Sequence, residues 1–169
     1  IQDLEIEQVA RKLDRSDRIA ALNSILSGRR AIRAALAQLA EASRNQALSG
    51  AQRLAVARAL AAYGSEGQDN DVNIGIGSFV GNTGAQTEVT TTVLGPDGRL
   101  ARIITAVTFN ARISGQELVM AVAHEGSHVA DNQEAFGLWI SSGKRDTARN
   151  SPLNRTKYDR ENLAYHLSV

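Results

Sequence analysis

Apolar residues recur at helical spacing through the first third of the chain. Leu4, Val9 and Leu13, and after a short break Ile19, Leu22 and Ile25, predict one helix or a broken pair. Ser27-Gly28 punctuates the pattern. Ile32, Leu36, Leu39 and Ala40 then fall at i, i+4, i+7 and i+8, a second amphipathic stretch that Ser49-Gly50 closes. Leu54, Ala57, Leu60 and Ala61 predict a third helix, ended by Gly64. Residues 1–64 therefore read as a helical layer without chemistry of its own, one that joins or shields the remainder.

Past a polar turn, Gly64 to Asp71, the period changes to that of strands. Val72–Val80 alternates Val72, Ile74 and Ile76 with small residues and contains Gly75 and Gly77, which argue for a bulge or a close backbone approach. Gly81-Asn82-Thr83-Gly84 is turn material. Two β-branched runs, Thr87–Leu94 and Leu100–Phe109, flank Gly95-Pro96-Asp97-Gly98, a turn with proline at its second position, and so predict a β-hairpin. The first strand is expected to join them in a small antiparallel sheet of about three strands.

The pattern turns helical again after Asn110. Ser114-Gly115-Gln116-Glu117 fits a capping box, and Leu118, Val119, Ala121 and Val122 open an apolar helix that runs into His124. A last helix is expected over Thr156–Leu167, after the start signal Ser151-Pro152. Between them, Phe136, Leu138, Trp139 and Ile140 read as core filling or as a flap over a cleft, and Ser141–Asn150 as a mobile loop. The fold class is α+β, one domain over 1–169, with residues 72–169 supplying a sheet and two site-bearing helices.

Composition narrows the chemistry. With 19 basic and 18 acidic residues the net charge is +1, which gives no electrostatic case for nucleic acid. Arginines spread through the N-terminal third read as solvated helix faces. No apolar run reaches the roughly 20 residues a membrane span needs. The chain has no cysteine, so a metal would have to be held by nitrogen and oxygen.

His124-Glu125-Gly126-Ser127-His128, H-E-x-x-H, is the stretch that names a reaction. Residues four apart lie one turn above each other on a helix, so both imidazoles project from one face and can share a zinc ion. Glu125 is then placed as the general base for a metal-activated water. Gly126 points the same way, because a helical glycine costs about 1 kcal/mol relative to alanine unless another backbone packs against it. The third ligand must come from elsewhere, and Glu161 is the best candidate. Tyr158, Glu161, Ala164 and Tyr165 share a face of the last helix; the alternative is an exposed Glu161 paired with Lys157. Asp131, at i+3 from His128, is expected to orient an imidazole from behind or to be a solvated helix-end residue. Tyr158, Tyr165 or His166 is a candidate donor to an oxyanion, and each is alternatively a packing residue.

H-E-x-x-H followed by Glu161 within E-x-x-A-Y resembles the gluzincin branch of the zincin metallopeptidases. Together with Tyr158–Tyr165 it is also similar to metallopeptidase-like domains at the C-termini of bacterial secreted effectors and toxins. The likeness covers the chain from Val72 on. It implies a small mixed sheet beside two zinc-bearing helices, with His124, His128 and Glu161 as ligands and Glu125 as base. The metzincin pattern is absent: Asp131 stands where its glycine would be and Glu134 where its further histidine would be. The G-T-x-D-x-x-Y of aspzincins is absent too.

The expected activity is therefore zinc-dependent hydrolysis of a protein or peptide. Leu100–Phe109 or its hairpin partner would offer a free edge to the substrate backbone. The glycines of Val72–Val80 could serve the same close approach. Two other readings stand beside it: a metal-stabilised module that binds or delivers without catalysis, and an amidase acting on cell-wall peptides. The start at Ile1 rather than Met points to an excised or processed piece of something longer. The likeness to effector and toxin domains implies a secreted or delivered polypeptide, with a delivery or immunity partner to match.

Overall fold

The computed structural model describes residues 15–64, 70–141 and 161. Its elements run α1 (Arg15–Ala42), α2 (Gly50–Tyr63), β1 (Val72–Gly77), β2 (Ala85–Leu94), β3 (Leu100–Asn110) and α3 (Gly115–Ser141). The α+β class holds. Among the described residues no helix is long and apolar enough to cross a membrane.

Two helix boundaries differ from the sequence expectation. α1 passes unbroken through Ser27-Gly28. Glycine is there because a methyl group at position 28 would overlap Ile76 Cδ1, so the gap in the helix surface admits a side chain from β1. Ser49 does not close α1, which ends at Ala42; it caps α2, its Oγ accepting from Gln52 N at 3.1 Å while Gln52 Oε1 accepts from Ser49 N at 2.9 Å. The capping box expected at Ser114 does not form. Gly115 opens α3 with φ +54°, a left-handed turn, and Ser114 contributes its carbonyl to Leu118 N at 3.4 Å.

The hairpin forms as expected, β2 antiparallel to β3, with Gly98 N donating to Gly95 O at 3.0 Å across the Pro96-Asp97 turn. The sheet as a whole is mixed and not antiparallel: its order is β1-β3-β2, and β1 runs parallel to β3. Residues 78–84 carry the chain over the end of β3 from one edge to the other, a gap of about 10 Å at the usual strand spacing. Asn110 holds this crossing, its N donating to Gly84 O and its Nδ2 to Thr83 O, both at 2.8 Å. β3 is consequently central and has no free edge, whereas β2 is an edge strand. β1 pairs without a break; the irregularities lie in β2, at Val89/Thr91 and Val93/Leu94. Close approach is real at Gly77, where a Cβ would come within 3.0 Å of Thr108 Cγ2.

One core joins the two parts of the chain. Ile32, Leu39, Val56 and Tyr63 from α1 and α2 pack with Val107 and Phe109 of β3 and Val122 and Val129 of α3. Phe136 and Trp139, ring centroids 6.4 Å apart, lie half-buried on the last turns of α3 and outside this core. Of the loop expected over Ser141–Asn150, Ser141 is still helical and the rest lies outside the described residues.

Candidate metal centre

α3 lies between α2 and the sheet, so its two faces have different tasks. The face toward α2 is cut away at Gly126. A Cβ there would stand 2.7 Å from Ala59 O and 2.8 Å from Tyr63 Cε2, so the α2 backbone packs directly onto the motif. This is the backbone contact that a helical glycine called for. Tyr63, buried at the same crossing, donates its hydroxyl to Val122 O at 2.6 Å. Arg58, one turn earlier on α2, donates to Asp131 at 2.8 Å and to Glu134 at 2.6 Å. Asp131, a buried residue well inside α3, is thus held by a cation from the neighbouring helix and is no solvated helix end.

His124 and His128 project from another face, their side chains only 17% and 16% exposed. Their Nε2 atoms lie 3.1 Å apart, the rings crossing at 79°. The carboxylate of Glu161, on helical backbone, straddles them: one oxygen is 3.4 Å from His124 Nε2 and the other 3.7 Å from His128 Nε2. These three groups can hold a metal ion. For a tetrahedral ion with ligand distances of about 2.0–2.1 Å, neighbouring ligands stand about 3.3–3.4 Å apart. The imidazole nitrogens, 3.1 Å apart, and the 3.4 Å from His124 Nε2 to one Glu161 oxygen lie near that value; the 3.7 Å to His128 Nε2 belongs to the other oxygen. Burial, aided by the charge of His128, lowers the pKa of His124 against the opposing pull of Glu125 and Glu161. That direction favours the neutral imidazole, the form that has a lone pair to give to a metal.

Glu125 points toward the sheet. It is 6% exposed, and Thr87 Oγ1 of β2 donates to its Oε2 at 2.5 Å. Burial raises its pKa and Glu161 adds to this, while the Thr87 hydrogen bond and the charge of His124 oppose it. The outcome is a carboxylate of raised basicity beside the two imidazoles.

Of the residues singled out from sequence, His124, Glu125, His128 and Glu161 come together. Tyr158, Tyr165 and His166 lie outside the described residues, as does the expected Thr156–Leu167 helix apart from Glu161. Thr87, Arg58 and Tyr63 escaped sequence reading. Thr87 touches the motif helix from β2, and Arg58 and Tyr63 touch it from α2; local spacing carries no signal for that. No family model, curated protein or solved structure matches the chain.

Proposed function

We propose that this chain is a zinc-dependent endopeptidase of the zincin type. The observation that carries the proposal is the convergence of His124 Nε2, His128 Nε2 and the Glu161 carboxylate beside a buried Glu125. Two imidazoles and a carboxylate are a donor set suited to zinc, and one that would leave a coordination position for water. Bound there, zinc supplies Lewis acidity toward a carbonyl oxygen and makes water a nucleophile near neutral pH. The proton work falls to Glu125, which takes a proton from the attacking water and returns it to the departing amine. Among the described residues β2 pairs only with β3, so its outer edge offers main-chain groups to align an extended peptide. Delivery as a bacterial effector or toxin rests on the family resemblance alone.

The test is metal content followed by cleavage of a proteome-derived peptide library, with new termini read by mass spectrometry. We expect the chain to retain zinc, H124A, H128A and E161A to lose it, and E125A to keep it while losing cleavage. Cleavage by E125A at the wild-type rate would overturn the mechanism. A closed site with a fourth protein ligand would favour the metal-stabilised module, and hydrolysis confined to cell-wall peptides would favour the amidase.

A further inference from the structure

The helix-facing side of the sheet is built from three cross-strand rows. They are Ile76–Phe109–Ala85, Ile74–Val107–Thr87 and Val72–Thr105–Val89. Thr87 closes the middle row, opposite the fully buried Val107. Packing alone would be served there by valine, which has the same shape and an equal liking for strands. What valine lacks is the hydroxyl, and that hydroxyl is spent on Glu125.

We infer that Thr87 is a positioning residue for the general base. The inference rests on the peptidase reading above. Glutamate has three rotatable side-chain bonds, and an unanchored carboxylate would divide its time among several rotamers. Threonine on a strand is the opposite, β-branched and stiff at χ1. Its donor to Oε2, at 2.5 Å, has the length of a strong charge-assisted bond. Because Glu125 is 6% exposed, solvent is a poor substitute for that donor. One carboxylate oxygen is thereby fixed and Oε1 is left for proton transfer. Thr87 also belongs to β2, so the strand whose edge would align a substrate backbone is the one that aims the base. Its hydroxyl bonds Glu125 and none of His124, His128 and Glu161, the three residues that could hold an ion. Its loss should therefore fall on turnover and leave metal and substrate binding alone.

The test uses the full chain loaded with zinc, first on the peptide library and then on the best-cleaved peptide under steady state. T87V should keep its zinc, melt cooperatively at a lowered midpoint because a buried carboxylate loses its donor, hold KM close to wild type and lose about 10- to 100-fold in kcat. T87S, which restores the donor, should recover most of that loss. Wild-type kcat in T87V overturns the inference, as does a defect confined to KM or zinc content, or a T87S variant no better than T87V. If T87V fails to melt cooperatively, T87S against T87A makes the same comparison, and equal kcat in those two overturns the inference. Absence of any Glu125-dependent cleavage by the wild type overturns the peptidase reading and this inference with it. Cleavage by wild type with an indifferent T87V removes the inference alone.

Discussion

Replacing Gly126 by alanine tests whether the motif helix is held in place by the backbone of α2. On propensity alone the change should stabilise a helix by about 1 kcal/mol. The structure reverses that sign. The new methyl would stand 2.7 Å from Ala59 O and 3.1 Å from Ala59 C, well inside the 3.4 Å at which ordinary contact begins. These are backbone atoms in the middle of a helix and cannot swing aside. α2 must retreat, and overpacking of this kind costs about 1–3 kcal/mol. The retreat also pulls Tyr63, whose Cε2 would be 2.8 Å from the methyl, off its 2.6 Å bond to Val122 O. A buried hydroxyl left without its acceptor adds about 1–3 kcal/mol. Set against the propensity gain, the net loss is about 1–5 kcal/mol. At about 2–4 °C per kcal/mol for a chain of this size, the midpoint should fall by about 2–20 °C. Gly137 is the control on the same helix: it is exposed and a Cβ there meets nothing within 4 Å. G137A should gain up to about 1 kcal/mol. Urea melts followed by circular dichroism would read both variants, with an unchanged m-value showing that only stability moved. A G126A protein as stable as G137A would refute the packing argument.

Tyr63 makes a prediction about alkaline pH. Burial first, and the charge of Glu125 second, raise its pKa well above the ordinary 10.0, against a smaller pull from the Gly126 backbone. The folded state thus favours the neutral phenol, so its contribution is complete below about pH 10 and lost as pH climbs through the folded value. Urea midpoints of wild type should fall more steeply above pH 10 than those of Y63F; parallel curves would count against the linkage. Arg58 bridges a side chain 2% exposed, Asp131, and one 45% exposed, Glu134. R58A should cost about 1–3 kcal/mol, because it takes a donor from a buried carboxylate while Arg58 itself is partly exposed. E134A should stay within about 0.5 kcal/mol, as exposed pairs do, and thermal melts of the two would separate the roles. An E134A loss as large as that of R58A would show that the exposed arm carries the bridge.

What the chain settles by itself is what depends on near neighbours. Imidazoles four residues apart share a helix face wherever the helix forms, so His124 and His128 were legible as a pair before any fold was known. The Gly95–Gly98 turn likewise dictates that β2 and β3 pair, because proline and glycine preset its backbone angles. Gly126 announced a close backbone contact, though not its partner. Contacts between distant segments belong to the tertiary structure. A crossing over the end of β3, pinned by Asn110, placed β1 parallel at the far edge, where spacing alone suggested a small antiparallel sheet. Gly28 looked like a helix stop until Ile76 was seen to fill the space it leaves. Glu161 was nameable from sequence, but its place across both imidazoles comes from the packing of the chain. Thr87 reaches Glu125 from 38 positions away and Arg58 reaches Asp131 from 73, distances over which no local period carries information. Short-range geometry writes the paired imidazoles and the carboxylate beside them into the chain; only the packing of helix on helix and helix on sheet decides what holds them still.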